Sequence, residues 1–302
     1  MITDLREYLV PIDQSSRKYA RQAITSDIQT VHIKDVLDDH QQFLEWMDQC
    51  FEKYLDFDTY DSFLFIDRKV KELDPTVYHT FKEDWNNLWG SPNEYKNFWL
   101  SRVEDMKLLE LIRDFQPFRK RGCFTYNCIR SENDFWKIQE NGNPLFEQQV
   151  EDIRSKPRQY TEIPVSYRRN DDFLKLLAWV AELTFKRPIR HPKIQLTCHM
   201  MRTYVQQGFD SNPAPEGVHR DGANYIVSGL VLNRKNVVGG TSTVYLADGK
   251  TQVFSRQLNP GEGLFQADEE NLYWHSVSSI KKINVEEEAY RSIIGFDMVF
   301  KN

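Results

Sequence analysis

The chain has 302 residues, enough for one large domain or two small ones. Its 39 basic and 45 acidic residues give a net charge of −6, which argues against a general nucleic-acid-binding role. There is no apolar run of about 18 residues, which excludes an ordinary membrane span. Four cysteines are too few for a disulfide framework, and the N-terminus lacks a signal-peptide pattern, so we expect a cytoplasmic protein with reduced thiols.

Two segments of the first half have clear helical patterns. Apolar residues recur at helical spacing over 39–55 and predict an amphipathic helix there. A second helix is predicted to begin at Ser91, because Pro92 and Glu94 complete a capping box. It is predicted to end near Arg121–Gly122.

The second half of the chain is dominated by strand patterns. Asn170 caps one more helix, and short apolar and polar alternations follow from Lys193 onward, separated by turns such as Asp248–Gly249. Many short strands with regular turns suggest a sandwich or jelly roll. We therefore predict an α+β protein. Residues 121–302 form a double-stranded β-helix (jelly-roll, cupin-like) core, and residues 1–120 form a helical N-terminal region packed on it.

Two histidines and one aspartate form the pattern of a metal site. His219 and Asp221 are two residues apart, so an extended strand directs both side chains to the same face. A distant His275 would complete three ligands on one face of an octahedral iron. The alternative is a surface histidine beside an aspartate and a core histidine packed by Trp274, and spacing alone does not separate the two. His199 is expected to make a buried hydrogen bond rather than a metal bond.

An arginine follows this set on a strand pattern. Arg291 could bind the far carboxylate of 2-oxoglutarate through two parallel hydrogen bonds. A jelly roll would bring His219, Asp221 and His275 to one mouth and would put Arg291 deeper in the same barrel. The predicted fold and the predicted chemistry therefore agree.

Residues 194–302 resemble the iron- and 2-oxoglutarate-dependent dioxygenase superfamily, in particular the branch of L-isoleucine dioxygenase-type amino-acid hydroxylases. The matching segments occur in the order of that family: Met201–Tyr204, His219–Gly222, Leu232–Asn233, Gly239–Gly240, Phe265, His275–Val277 and Tyr290–Ile293. The resemblance implies that His219, Asp221 and His275 ligate Fe(II) and that Arg291 binds 2-oxoglutarate, the cosubstrate used with O₂. It also suggests two weaker candidates for the cosubstrate pocket, Ser292 and Thr241.

The resemblance further implies a small-molecule substrate, a free or modified amino acid. Its unactivated C–H bond would be oxidised by hydroxylation, desaturation or oxidative ring closure. Arg202 matches an arginine of the amino-acid hydroxylases and is predicted to clamp the substrate carboxylate, with a salt bridge to an acid on a neighbouring strand as the alternative. Arg220 and Trp274 are further substrate-binding candidates, and shielding of the iron is the other role open to Trp274.

Two other classes of protein stay open at this point. A metal cupin enzyme that does not use 2-oxoglutarate would not need Arg291 on its strand. A non-catalytic jelly-roll binding protein would bind no iron. The sequence indicates neither the oligomeric state nor the role of the first 120 residues.

Overall fold

The protein, described by a computed structural model, falls into two compact units. The described residues are 6–12, 28–84, 88, 91–131, 133, 135–142, 145, 156–185, 192–206, 211–269 and 272–301. One unit comprises Met1–Asp56, Lys120–Pro144 and Tyr160–Asn302, and the other comprises Phe57–Arg119 and Leu145–Gln159. Residues before 57 thus belong to the same unit as the second half of the chain. The predicted division at residue 120 stays a prediction.

The helices of the described ranges are α1 (His40–Lys53), α2 (Tyr60–Leu73), α3 (Pro75–Phe81), α4 (Pro92–Leu100), α5 (Met106–Asp114), α6 (Val165–Arg168) and α7 (Asp171–Phe185). The strands are β1 (Glu7–Pro11), β2 (Ile28–His32), β3 (Arg119–Arg130), β4 (Phe135–Gly142), β5 (Thr161–Glu162), β6 (Lys193–Tyr204), β7 (Tyr225–Lys235), β8 (Val237–Gly239), β9 (Thr241–Leu246), β10 (Gln252–Gln257), β11 (Glu262–Ala267), β12 (Tyr273–Val277), β13 (Ile280–Lys282) and β14 (Tyr290–Phe300). This mixture of helices and sheets confirms the α+β prediction.

The strands of the first unit form a large sheet and smaller ones. The large sheet runs in the order β1-β4-β3-β6-β14-β7-β11-β2, and β5 pairs with β3 at its side. A smaller sheet has the order β10-β9-β12, and β13 pairs with β8. Strand β14 is central to the large sheet because it pairs antiparallel with both β6 and β7 over most of its length.

Both faces of the large sheet are buried. Its outer face packs on α1 and α7 through apolar residues that include Met47, Phe51, Phe173, Met200 and Phe296. The inner face forms a separate apolar cluster that reaches across to β9 of the smaller sheet. The buried members of that cluster are Val231, Val244, Leu258, Leu264 and Ile293. Residues alternate between these two faces along each strand.

The second unit is helical and has its own apolar core. The fully buried residues of that core come from α2, α4 and α5: Phe63, Ile66, Val70, Tyr95, Trp99, Leu108 and Ile112. The Nε of Arg119 donates to the buried carboxylate of Asp61 at 2.6 Å. This pair joins the start of α2 to Arg119, the last residue of the Phe57–Arg119 segment of this unit.

Most local predictions match the structure, and one is wrong. The helix predicted to start at Ser91 does not continue unbroken: α4 ends at Leu100 and α5 begins after Asp105. The Asp105 carboxylate accepts a hydrogen bond from the Leu108 N–H at 2.7 Å, which is an N-cap interaction that starts a new helix. The chain then enters β3 at Arg119.

The helix predicted over 39–55 is α1, and the Asn170 side chain caps α7 by accepting from the backbone N–H groups of Asp172 and Phe173 at 2.9 and 3.2 Å. The turn predicted at Asp248–Gly249 joins β9 to β10. None of the helices in the described ranges has the length and apolar character to cross a membrane.

Candidate metal centre

The two histidines of the predicted site meet across an isolated antiparallel bridge. The N–H of each donates to the carbonyl of the other at 2.9 Å, which joins the segment before β7 to β12. The Nε2 atoms of His219 and His275 lie 3.6 and 3.4 Å from the two carboxylate oxygens of Asp221. One ligand atom from each residue falls within 4.8 Å of the others. This spacing and these ligand types can hold a divalent transition metal.

The Nδ1 atom of each ring lies near an oxygen atom. Nδ1 of His219 lies 2.9 Å from the carbonyl oxygen of Gly217, and because a carbonyl only accepts, Nδ1 carries the proton. Nδ1 of His275 lies 3.5 Å from Oδ1 of Asp268. Metal-ligating histidines commonly have such partners, which fix the ring and leave Nε2 free to bind. Both rings therefore direct Nε2 toward Asp221.

Asp268 organises the loop that carries the central carboxylate. It is 1% exposed, and its Oδ2 accepts the backbone N–H groups of Asp221, Gly222 and Ala223 at 2.9, 2.7 and 3.2 Å. No motif in the sequence marks Asp268, so it was not among the predicted site residues. Glu216, whose Oε1 lies 3.5 Å from Nε2 of His219, was not among them either.

The charges of the site are tightly interdependent. Burial would raise the pKa of Asp221, but the imidazoles of His275 and His219 outweigh burial and hold that pKa well below its usual range. Burial would likewise lower the pKa of His275, yet the carboxylates of Asp221 and Asp268 raise it to about 10. These charges favour a proton on His275, and a bound cation would replace that proton.

Arg291 is a buried cation without an anionic partner in the described part of the chain. Its side chain is 2% exposed, and its Nε has no hydrogen-bond acceptor among the described residues. Burial, and then the charge of Arg234, lower its pKa to about 9. Two glycines lie next to this side chain. A Cβ added at Gly240 would be 3.0 Å from Cδ of Arg291, and one added at Gly229 would be 3.8 Å from its Nη2. An anion of the right size would satisfy this guanidinium.

The strand alternation separates two predicted residues from this site. Ser292 follows Arg291 on β14, so its side chain lies on the opposite face of the sheet. There its Oγ accepts from Nε of Arg202 at 2.9 Å. Arg202 also forms ion pairs with Asp48, at 2.7 Å, and with Glu52, both on α1. Arg202 thus forms its salt bridges with a helix rather than with a neighbouring strand, and Ser292 faces away from Arg291. Substrate binding by Arg202 and cosubstrate binding by Ser292 stay predictions.

Thr241 and Trp274 lie on the far side of their strands from the histidines, and Arg220 lies against Trp274. His275 is opposite Val244, so Thr241, three residues earlier on β9, faces the other way. The Arg220 guanidinium lies 4.4 Å from the ring of Trp274, and the indole N–H of Trp274 donates to the carbonyl of Ala247 at 3.1 Å. The structure therefore does not bring Thr241 to the triad. Substrate binding by Arg220 and Trp274 stays a prediction.

Two polar features of the inner face complete the site. Nε2 of His199 lies 2.9 Å from Oδ2 of Asp297, which confirms the hydrogen bond expected of this histidine. Gln266 is fully buried on β11, and neither its amide nitrogen nor its amide oxygen has a partner among the described residues. Gln266 shares the inner face with Leu264, two residues earlier. It is therefore an open hydrogen-bonding group inside the barrel.

A family model described as 2OG-Fe dioxygenase matches residues 97–297, which is more than half of the chain. The chain belongs to this family. The dioxygenase resemblance drawn from the sequence is thereby confirmed at the level of the family. The cupin-enzyme and non-catalytic alternatives are set aside, because members of this family are Fe(II)- and 2-oxoglutarate-dependent dioxygenases that use O₂.

Solved structures of similar fold support the jelly-roll architecture. A bsmA homolog from Methylobium petroleophilum PM1 has a TM-score of 0.52 at 18% identity, covering 61% of this chain and 74% of its own. IDO from Bacillus thuringiensis has a TM-score of 0.50 at 18% identity, covering 78% and 96%. The Fe(II)/α-ketoglutarate-dependent dioxygenase TqaL has a TM-score of 0.52 at 16% identity, covering 96% and 88%. No curated protein sequence matches this dioxygenase significantly.

The residues of this dioxygenase fit the cofactors of its family. Two imidazole Nε2 atoms and one carboxylate converge within 4.8 Å, as a facial set for Fe(II) requires. The buried guanidinium of Arg291, which has no anionic partner among the described residues, fits the distal carboxylate of 2-oxoglutarate. The three metal-binding residues and the buried guanidinium of Arg291 therefore suit Fe(II) and 2-oxoglutarate, the cofactor and cosubstrate of the family.

Proposed function

We propose that this dioxygenase oxidises an unactivated C–H bond of a small carboxylated substrate, a free or modified amino acid. His219, Asp221 and His275 hold the iron, and Arg291 anchors 2-oxoglutarate. The observation that carries this assignment is the convergence of the three ligand atoms inside the same jelly roll that buries the unpaired Arg291. Hydroxylation, desaturation and oxidative ring closure all begin at such a C–H bond.

The protein's own contribution is geometry and charge. Bound Fe(II), with 2-oxoglutarate and O₂, supplies the oxidising power, and 2-oxoglutarate is converted to succinate and CO₂. Gly217 accepts a hydrogen bond from Nδ1 of His219, and Asp268 lies 3.5 Å from Nδ1 of His275, so these two residues orient the rings that would hold Fe(II). Arg291 orients the cosubstrate by gripping its distal end. The apolar lining of the inner face limits water around the reacting groups.

The substrate class is supported by the resemblance to amino-acid hydroxylases and by the inner-face polar groups. Because Arg202 is engaged with α1, substrate must be oriented by other groups. The Gln266 amide can donate to a carboxylate and accept from an ammonium, and both of its atoms are open. An amino acid carries both of these groups, a carboxylate and an ammonium, on one carbon. We therefore assign Gln266, rather than Arg202, as the residue that orients the substrate.

The assignment of the iron ligands is tested by anaerobic binding. Fe(II) followed by 2-oxoglutarate should give the weak visible charge-transfer band in the wild-type protein. Asp221→Ala should lose iron stoichiometry and the band, because one of three ligands is missing. Glu216→Gln is the matched control, since its carboxylate also lies near Nε2 of His219 but is assigned no ligand role. Full iron content and near-normal turnover in Asp221→Ala would overturn the assignment.

The substrate class is tested separately. Single amino acids and their derivatives are added to the iron-loaded protein, and succinate release is measured against a sample without substrate. A stimulating amino acid whose effect is lost in Gln266→Leu, with iron and 2-oxoglutarate binding intact, supports the proposal. If no amino acid stimulates succinate release while another small molecule does, the substrate class is wrong and the iron assignment stands.

A further inference from the structure

Two arginines face each other across neighbouring strands inside the barrel. Arg291 on β14 is directly opposite Arg234 on β7 in the antiparallel register. Side chains at directly opposite positions lie on the same face, and like charges placed there destabilise a sheet. The charge of Arg234 is indeed one of the causes, after burial, that lower the pKa of Arg291. A pair of this kind needs a compensating anion.

The two side chains converge on one small space. A Cβ at Gly240 would lie 3.0 Å from Cδ of Arg291 and 3.3 Å from Nη1 of Arg234. Arg234 is held there because its Nη2 donates to the carbonyl of Gly239 at 2.7 Å. The absence of a side chain at residue 240 therefore lets both arginine side chains approach the same position.

Each guanidinium keeps an open donor. Nη1 of Arg234 and Nε of Arg291 are buried, and neither has a hydrogen-bond acceptor within the described ranges. In those ranges no carboxylate forms an ion pair with either arginine. Buried donors without acceptors are costly, so two of them side by side mark a place built for an anion with at least two oxygen atoms.

We propose that Arg234 is a second binding residue for 2-oxoglutarate, so that the distal carboxylate is held between Arg234 and Arg291. This inference rests on the proposed role of Arg291 and adds a residue from a different strand. Arg291 meets the carboxylate from β14 and Arg234 meets it from β7. The cosubstrate thereby neutralises a repulsion that the cosubstrate-free protein retains. The two-arginine seat, defined as Arg234 and Arg291, selects 2-oxo acids that carry a second carboxylate.

The test compares two ligands in three variants. Dissociation constants are measured anaerobically in the Fe(II)-loaded protein for 2-oxoglutarate and for 2-oxopentanoate, which has the same carbon chain but lacks the distal carboxylate. The variants are Arg234→Met, Arg291→Met and Lys235→Met. Lys235→Met is the matched control, because it removes a positive charge from the same end of β7. Lys235 itself is exposed and paired with Glu288. Thermal melting of the protein without 2-oxoglutarate is recorded for each.

We expect Arg234→Met to weaken 2-oxoglutarate binding about ten- to a hundredfold, the range for a lost hydrogen bond to a charged group. Binding of 2-oxopentanoate should not change. Without cosubstrate, Arg234→Met should melt at the wild-type temperature or above it, since the repulsion is relieved. Lys235→Met should bind both ligands as the wild type does.

Three results would overturn the inference. One is unchanged affinity of Arg234→Met for 2-oxoglutarate. Another is an equal loss for both ligands. The third is a loss of affinity that comes with a lower melting temperature, which would make Arg234 only a structural residue. The proposed role of Arg291 fails separately, if Arg291→Met keeps wild-type affinity for 2-oxoglutarate.

Discussion

Oδ1 of Asp268 lies 3.5 Å from Nδ1 of His275, while Oδ2 of the same carboxylate holds the backbone of Asp221. One residue outside the ligand set therefore positions two of the three proposed ligands. The partners of ligating histidines and carboxylates affect metal affinity nearly as strongly as some ligands do.

Asp268→Asn should weaken metal binding about ten- to a hundredfold, because the neutral amide neither orients nor polarises His275 as the carboxylate does. Metal affinity is measured anaerobically by competition with a chelator. Asp248→Asn is the control: Asp248 also accepts backbone N–H groups, but it does so in the exposed β9–β10 turn. Equal metal affinity in Asp268→Asn and the wild type would contradict the proposed role.

Gly240→Ala should weaken 2-oxoglutarate binding, because the new Cβ would press on Cδ of Arg291 at 3.0 Å. Gly240 has φ of +64°, so an alanine there also strains the backbone, and this effect must be subtracted. Gly249→Ala is the matched control, since Gly249 has the same φ of +64° and meets only Trp274, at 3.9 Å. Both variants share the backbone strain, and Gly240→Ala adds the cost of the close contacts at residue 240. Similar 2-oxoglutarate affinity in the two would refute the displacement of Arg291.

Arg202→Met should destabilise the fold without changing cosubstrate affinity. Arg202 is 1% exposed and pairs with Asp48, so its loss leaves a carboxylate uncompensated and should lower the free energy of unfolding by about 3–5 kcal/mol. Urea unfolding measures this loss. Arg256→Met removes an arginine from an exposed pair with Glu262 and should cost less than about 1 kcal/mol. A stable Arg202→Met protein with impaired substrate binding would instead support the prediction that Arg202 binds the substrate carboxylate.

Glu140 should make the stability of the protein sensitive to acid. Burial raises the pKa of Glu140, but hydrogen bonds and charge from Arg169 and Arg168 outweigh burial and lower it below the usual value. A lowered carboxylate pKa contributes stability above the pKa of the unfolded chain, about 4.3, and this contribution is lost as pH falls through the folded value. Glu140→Gln should therefore be less stable than the wild type at pH 7.

That difference should shrink as the pH falls below about 4. Denaturant unfolding is measured across the pH range for both proteins. Glu288→Gln, which changes an exposed carboxylate paired with Lys235, should follow the wild-type curve. A difference between Glu140→Gln and the wild type that stays constant down to pH 3 would show that Glu140 does not titrate in this way.

Sequence patterns predicted the class of fold and the shared orientation of His219 and Asp221, because these depend on local signals. Turn residues such as Asp248 mark strand ends, and the spacing of His219 and Asp221 makes them share a face. The break between α4 and α5 was missed, since neither glycine nor proline marks it and a single Asp105 cap decides it. The helical spacing of apolar residues continues across the break, so it predicted a single helix.

The residues around the triad were harder to predict for a physical reason. Alternation shows that Arg202 and Thr203 face opposite ways, but it cannot say which face is the inside when helices bury the outer face as well. The partners of Arg202 lie far earlier in the chain, on α1. No motif includes Arg234 or Gln266, and only the register of β7, β11 and β14 reveals what they face.

The alternating faces of β14 also determine where this chain can tolerate length changes. The exposed segment between β13 and β14, around Val285 and Glu286, can gain or lose a residue without altering the strand. A one-residue deletion between Ser292 and Ile294 would shift the preceding part of the strand against its neighbours, exchanging the outward and inward sides. The side chain of Arg291 would then face helix α1, and that of Ser292 would lie on the inner face of the sheet. Protein engineers who vary substrate preference should therefore place insertions in that loop and keep β14 at constant length.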